Sequence, residues 1–169
     1  AVQEAAAVAS VTNGGTYNQP RVLASTKLAD GTEQTFETED SRRVISKEAS
    51  AQVVALMEAM AANSTSHTFD VPGYRVGAKT GTALEYDFDC SCFSKRRVVS
   101  TIGVAPVENP QYLVYVVIHD PHNGKSGSSV AGPAEQDIMS LTLARYGVAP
   151  SATKTPKYPI EPKAKPKGK

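Results

Sequence analysis

The chain has 169 residues, of which 40% are apolar, so it is long enough to bury one core. Its formal net charge is +1, but the six lysines and one glutamate of residues 151–169 give that segment a net charge of +5. Aromatic residues make up 7% of the chain, and no basic stripe lies outside this segment, which excludes a nucleic-acid-binding domain.

The first predicted element is a helix that ends at Asn13-Gly14-Gly15, a good helix terminator. Its apolar positions recur at helical spacing and are Val2, Ala5, Ala6 and Ala9. It begins without a capping residue, a signal peptide or an initiator methionine, so we expect the chain to be a fragment of a longer protein. Residues 21–28 and 32–37 then predict a small hairpin with an Asp-Gly turn at residues 29–31.

A second helix is predicted after Ser46, which is placed to cap it, and the helix is expected to end at residues 63–66. Its apolar positions again have helical spacing and are Val53, Leu56, Met57, Met60 and Ala61. The methionines among them are interpreted as core packing.

Residues 74–83 predict a strand that carries the sequence Lys79-Thr80-Gly81-Thr82-Ala83. On a strand, Lys79 and Gly81 share one face and the two threonines share the other. The threonine hydroxyls suit a substrate carboxylate, Lys79 adds positive charge, and the backbone N–H of Thr82 suits an oxyanion. Gly81 lets another backbone lie close to the strand. The pattern is typical of the third active-site element of a serine acyl-transferase.

A phosphate-binding P-loop is the competing interpretation of Gly73 and residues 78–80. It fails because Ala78 stands where the second loop glycine is required. Residues 84–92 also alternate apolar and polar side chains, which indicates extended chain rather than the helix that a P-loop opens. A second triplet, Lys125-Ser126-Gly127, is chemically equivalent to Lys79-Thr80-Gly81. It lies in a glycine-serine stretch and is interpreted as a loop.

The last elements are two strands at residues 97–104 and 111–119, and the short connection between them predicts an antiparallel pair. Pro133 suits the first turn of a final helix that ends by Gly147. After Pro133, the predicted helix continues through Ile138, Leu141, Ala144 and Arg145. Neighbouring antiparallel strands covered by helices indicate an α+β fold.

The remaining candidates are two cysteines, whose pairing is left open, and three histidines, which are interpreted as polar surface residues. Cys90 and Cys92 require a turn to form a disulfide, and free thiols or pairing with a missing segment are equally allowed. His119, Asp120 and His122 end a strand, where polar turn residues are expected, so no metal site and no cofactor is predicted. His67 is expected to face water.

Residues 1–150 resemble the C-terminal part of the transpeptidase domain of a class B penicillin-binding protein, of the cell-division or elongation type. The similar blocks occur in order along the chain and are residues 2–10, 13–15, 73–83, 102–106, 109–110 and 116–121. The resemblance implies an α+β fold like that of penicillin-binding proteins and serine β-lactamases. In that fold the Lys-Thr-Gly strand borders the catalytic cleft, and the terminal helices pack on the far face of the sheet.

The same resemblance implies a peptidoglycan D,D-transpeptidase that forms a serine ester with D-alanyl-D-alanine stem peptides and is acylated by β-lactams. Catalytic roles then fall on Lys79 and Thr82, and substrate or β-lactam binding falls on Thr80, Gly81, Thr82 and Ala83. The domain would lie on the extracytoplasmic side of the cell membrane, with other division and wall-synthesis proteins as partners. A D,D-carboxypeptidase, a β-lactamase or a β-lactam sensor would use the same strand, and a non-catalytic division scaffold is the alternative of another class.

The family's nucleophile motif is the main departure. The chain contains no Ser-x-Asn, and its one Ser-x-x-Lys, Ser151-Ala152-Thr153-Lys154, lies downstream of the strand among prolines and lysines. A nucleophile needs a rigid, partly desolvated helix start beside its base, which this segment does not offer. We therefore expect the nucleophile and its lysine in an upstream part of the same protein. Residues 151–169 are predicted to be a disordered terminus, with a tether to anionic polymer or lipid as the alternative.

Overall fold

A computed structural model describes residues 1–36, 41–122 and 126–158 of the chain. The helices are α1 (Val2–Thr12), α2 (Lys47–Ala62), α3 (Gly127–Val130) and α4 (Gly132–Arg145). The strands are β1 (Thr16–Asn18), β2 (Ser25–Lys27), β3 (Glu33–Thr35), β4 (Ser41–Arg43), β5 (Gly77–Asp87), β6 (Cys92–Ala105) and β7 (Tyr112–His119). None of the helices in the described ranges is long and apolar enough to cross a membrane.

The main sheet is antiparallel and has the strand order β5-β6-β7, so β5 forms one edge. Pairing between β6 and β7 runs from Val98 opposite His119 to Ala105 opposite Tyr112. This confirms the predicted antiparallel pair. The first of the two strands begins earlier than predicted, at Cys92, because the chain leaving β5 folds back as a hairpin.

Helices cover both faces of this sheet. Gly77 and Val104 are cross-strand partners, and a Cβ added to Gly77 would lie 3.1 Å from Cβ of Met57, so α2 packs on their face. A Cβ added to Gly103 would lie 2.0 Å from a carboxyl oxygen of Glu135, so α4 packs on the opposite face. Helix α1 joins the same apolar cluster as α2. The terminal helices α1 and α4 therefore lie on opposite faces, which corrects the expectation that both pack on the far one.

The buried stripe of α2 includes the predicted Met57 and Ala61 but not Leu56, and that of α4 differs from the predicted one. Leu56, Ile138 and Leu141 are exposed, whereas Val54, Met139 and Leu143 are buried. The reason is that polar side chains also occupy the buried faces, so a stripe chosen by apolar residues alone is rotated away from the true contact. These buried polar residues are Ser50 and Glu58 on α2 and Glu135 on α4.

The predicted Asp-Gly hairpin is confirmed, with β2 paired to β3 and Gly31 at a φ of +86° in the turn. A second ribbon, in which β1 pairs with β4, was not predicted because each strand has three residues. The predicted cap of α2 is also confirmed, since the backbone N–H of Ala49 donates to Oγ of Ser46 at 3.1 Å.

Cys90 and Cys92 form a disulfide at the tip of the β5–β6 hairpin. Their Cα atoms are 5.3 Å apart, because Ser91 adopts a φ of +52° and turns the chain back. The structure thus selects one of the three states that the sequence left open.

Residues 151–158 pack against the domain, unlike the disordered terminus predicted for residues 151–169. The backbone N–H of Ser151 donates to the carbonyl oxygen of Gly73 at 2.9 Å, and Oγ of Ser151 accepts from the backbone N–H of Arg75 at 2.9 Å. Tyr158 closes the segment with hydrogen bonds to α2. We call residues 151–158 the C-terminal strap; residues 159–169 lie outside the described residues.

Glu135 is fully buried between α4 and β6, and neither of its carboxyl oxygens has a hydrogen-bond partner in the part of the chain that the structure describes. Desolvation raises the pKa of Glu135 to about 7. The unfolded chain releases this proton at lower pH than the folded one, so the stability of the fold decreases between pH 4.5 and pH 7.

Replacement of Glu135 by Gln should therefore stabilise the protein at pH 8 and have little effect at pH 4. The expected gain at pH 8 is roughly 3 kcal/mol, which is the free energy that corresponds to the raised pKa. Thermal unfolding of both proteins at the two pH values measures it. An equal difference in melting temperature at pH 4 and pH 8 would show that the carboxyl ionises in the folded state as easily as in water.

Candidate acyl-transfer site

The predicted Lys-Thr-Gly-Thr sequence lies on the edge strand of the main sheet. Lys79 pairs with Ile102, and Thr82 pairs with Val99, so β6 occupies one side of β5 along this sequence. The opposite side of β5 has no strand partner among the described residues. The structure thus confirms the strand and excludes the P-loop interpretation, which requires a helix to begin here.

The residues at positions 79–83 differ in their exposure to solvent along this edge. Lys79, Thr82 and Ala83 are exposed, and Thr80 and Gly81 are half-buried. Lys79 shares the face of Gly77, which α2 covers, but the side chain of Lys79 is exposed. In this structure the ammonium nitrogen donates to the carbonyl oxygen of Thr80 at 2.6 Å.

Gly81 packs closely against a side chain of the neighbouring strand. A Cβ at this position would lie 2.5 Å from Oγ of Ser100, its cross-strand partner. Absence of a side chain at Gly81 thus leaves the strand surface low between Lys79 and Thr82. A ligand or another backbone can approach the edge at this point, as predicted from the sequence.

A surface cavity of about 530 Å³ opens beside Thr80. Its floor is apolar and includes Met60 and Phe69, and its rim carries uncharged polar groups. The rim residues include Asn63, Ser64, Thr65, Ser128 and Tyr158. The exposed threonine edge of β5 therefore continues into a neutral pocket rather than a charged one.

Strand β5 is connected to α2 by a buried ion pair that the sequence analysis missed. Arg75, two residues before β5, donates from Nε and from a terminal nitrogen to the two carboxyl oxygens of Glu58, each at 2.7 Å. The side chain of Glu58 is 1% exposed. The hydroxyl of Tyr158 donates to the same carboxylate at 2.6 Å, and Arg75 also donates to Oγ1 of Thr153 at 3.0 Å. This ion-pair cluster joins the segment that enters β5, α2 and the C-terminal strap.

Glu58 and Arg75 stabilise the charged form of each other. Burial raises the pKa of Glu58, but hydrogen bonds from Arg75 and Tyr158 outweigh burial and bring that pKa below its ordinary value. The Glu58 carboxylate in turn raises the pKa of Arg75. No local pattern reveals this pair, because the partners are 17 residues apart and lie on different elements.

Other residues that the sequence singled out have structural roles here. Residues 126–128 were interpreted as a loop, but Ser126 caps the short helix α3, with its Oγ accepting from the backbone N–H of Ser129. Lys125 lies outside the described residues. Ser151 holds the strap, as described above. His67 is exposed as predicted and contacts Asp70 at 3.0 Å, and no cluster of potential metal ligands occurs in the described ranges.

Comparison with known proteins identifies the family of the chain. The family model for the penicillin-binding protein transpeptidase domain matches residues 1–140. Stage V sporulation protein D of Bacillus subtilis is 35% identical over 153 residues, covering 88% of this chain and 23% of that protein. A probable peptidoglycan D,D-transpeptidase PenA of Neisseria flavescens is 38% identical over 124 residues, covering 70% of the chain and 31% of that protein.

Solved structures show the same fold. Penicillin-binding protein 3 of Mycobacterium tuberculosis, in complex with ampicillin, superposes with a TM-score of 0.79 at 24% identity, covering 91% of this chain and 36% of that one. A peptidoglycan synthetase of Bifidobacterium adolescentis gives a TM-score of 0.78 at 25% identity, covering 91% and 28%. The chain spans about a quarter of the length of stage V sporulation protein D. With the family model matching most of its length, the chain belongs to the penicillin-binding protein transpeptidase family.

Proposed function

We propose that this chain supplies the carboxylate- and oxyanion-binding strand of a peptidoglycan D,D-transpeptidase. The observation that carries the proposal is the position of Lys79, Thr80 and Thr82 on a strand whose outer edge has no strand partner among the described residues. A peptide can add to such an edge by main-chain hydrogen bonds, with side-chain hydroxyls fixing its end. The names of the relatives, which include peptidoglycan D,D-transpeptidases, support the same reaction.

In the proposed reaction each group of the strand has one role. Thr80 and Thr82 bind the free carboxylate of a D-alanyl-D-alanine stem peptide through their hydroxyls, and Lys79 supports its charge. The backbone N–H of Thr82 donates to the carbonyl oxygen as it becomes negative during attack by the serine. A β-lactam carries equivalent acyl and carboxylate groups, so it would occupy the same edge. The solved complex of a structural neighbour with ampicillin is consistent with this.

The nucleophile of this reaction is proposed to lie in a segment upstream of Ala1. Ser151 is the one serine in a Ser-x-x-Lys sequence, yet its hydroxyl accepts a hydrogen bond from the backbone of Arg75 and so serves the strap. The disulfide at Cys90 and Cys92 supports placement of this domain in an oxidising, extracytoplasmic compartment. Membrane anchoring and contacts with division or wall-synthesis proteins belong to the same proposal.

Replacement of Thr82 by Val tests the carboxylate assignment, because it removes the hydroxyl and keeps the backbone N–H. Acylation of the full-length protein by a fluorescent penicillin should slow by about tenfold or more, the scale of a hydrogen bond to a charged group at ~1.5–3 kcal/mol. Thr101→Val is the matched control, since the hydroxyl of Thr101 is buried on β6 and has no partner. Its acylation rate should stay within about twofold of the wild type. Equal rates for Thr82→Val and the wild type would place the carboxylate elsewhere.

A further inference from the structure

Gly127, the last residue of the second triplet, lies against the backbone of Gly81, the glycine of the Lys-Thr-Gly sequence. Gly127, at the start of α3, is buried against the backbone of β5 and β6. A Cβ added to Gly127 would lie 2.2 Å from the carbonyl oxygen of Ser100 and 2.9 Å from that of Gly81. Gly81 and Ser100 are cross-strand partners. Helix α3 therefore rests on the sheet at the glycine of the Lys-Thr-Gly sequence.

We propose that Gly127 is a positioning residue for acyl transfer, through which α3 supports β5 at Gly81 and sets the position of the Thr82 backbone N–H. The inference rests on the proposed function, since it assigns to Gly127 the placement of the oxyanion donor. Gly127 does not touch the substrate. Its contribution is that a residue without a side chain lets α3 reach the strand backbone at this point.

A side chain at position 127 could be accommodated only by a movement of the backbone. Atoms that a new methyl group would meet are main-chain oxygens, so no side-chain rotation can relieve the overlap. Helix and strand must separate by about 1 Å to restore ordinary van der Waals distances. A misplacement of about 1 Å in an active site reduces turnover by up to roughly 100-fold.

The strand rather than the helix is expected to move. Helix α3 leads directly into α4, whose Met139 and Leu143 are fully buried in the core. Ser126 caps α3 and so fixes its first turn. By contrast, β5 pairs with a strand on one side alone, as far as residues 1–36, 41–122 and 126–158 show. Displacement would therefore fall on residues 80–82, where the proposed carboxylate and oxyanion groups lie.

Gly132 provides a matched control. It is also buried, and a Cβ there would lie 2.7 Å from Oγ1 of Thr68, so Gly132→Ala crowds the same helical region without touching β5. Both variants are made in the full-length protein. Noncovalent affinity and the first-order acylation rate are separated by stopped-flow measurements with a fluorescent penicillin, and melting temperatures are measured in parallel.

Gly127→Ala should lower the first-order acylation rate by about tenfold or more, whereas Gly132→Ala should leave it within about twofold at a similar loss of melting temperature. Equal acylation rates for Gly127→Ala and Gly132→Ala would overturn the positioning role. If Gly127→Ala does not fold, Ser126→Ala, which removes the cap of α3, takes its place; a wild-type acylation rate in that variant would equally overturn the proposal. If the wild-type protein is not acylated at all, the proposed function itself fails.

Discussion

Replacement of Lys79 by Ala should reduce β-lactam acylation of the full-length protein by roughly 100-fold, the scale of losing one preorganised electrostatic group at the reacting centre. The side chain is exposed at the strand edge, and within the described residues it donates one hydrogen bond, to the neighbouring carbonyl of Thr80. Loss of the ammonium group should therefore leave the melting temperature almost unchanged. This variant is thus expected to lose acylation activity while it keeps its stability.

Two lysines serve as controls for Lys79. Lys95 is exposed on β6 of the same hairpin, and Lys125 is the first residue of the second triplet. Lys95→Ala and Lys125→Ala should each keep the acylation rate within about twofold of the wild type. A large loss in Lys125→Ala with little loss in Lys79→Ala would move the assignment from β5 to the segment at residues 125–128.

The largest loss of stability is expected for Arg75→Met. This change leaves the carboxylate of Glu58, which is 1% exposed, without its bidentate partner. Removing one member of a buried ion pair typically costs about 3–5 kcal/mol, because the remaining charge stays desolvated. The midpoint of urea unfolding at pH 7 measures this loss.

Two further variants identify the cause. The double variant Glu58→Leu/Arg75→Met should be more stable than Arg75→Met, since it removes the isolated charge. Arg96→Met breaks the exposed pair with Glu85 and should barely move the midpoint. A double variant as unstable as Arg75→Met would attribute the loss to packing instead.

The effect should also depend on pH with a definite sign. In the wild type the pKa of Glu58 is lowered, so its contribution to stability is present above the pKa of the unfolded chain and is lost as the pH falls through the lower pKa of the folded state. In Arg75→Met, the hydrogen bond from Tyr158 remains but the guanidinium is gone, so burial is opposed less and the pKa of Glu58 is higher than in the wild type. The difference in stability between the two proteins should therefore be largest at neutral pH and shrink as the solution becomes acidic.

The strand that carries Lys79 could be predicted because its information is local. The glycine at position 81 and the alternation that follows at residues 84–92 indicate an extended segment with two different faces. The Asp-Gly turn at Gly31 and the cap at Ser46 are local signals of the same kind, and the structure confirms both.

What could not be predicted depends on contacts between distant residues. The bond between Tyr158 and Glu58 spans 100 residues, and the proline- and lysine-rich composition around Tyr158 gave no sign of an ordered segment. Gly127 lies in a glycine-serine stretch that resembles a loop, and its seat on β5 depends on where α4 anchors the chain. Glu135 occupies a buried position that an apolar stripe would not include.

Covalent labelling by a fluorescent penicillin tests the central claim most directly, when the 169-residue chain and the full-length protein are compared and the labelled residue is mapped by peptide mass analysis. If β5 supplies binding groups to a serine that lies elsewhere in the protein, the chain alone stays unlabelled and the full-length protein is labelled upstream of Ala1. A label on Ser151, or on any other serine within residues 1–169, would contradict this account.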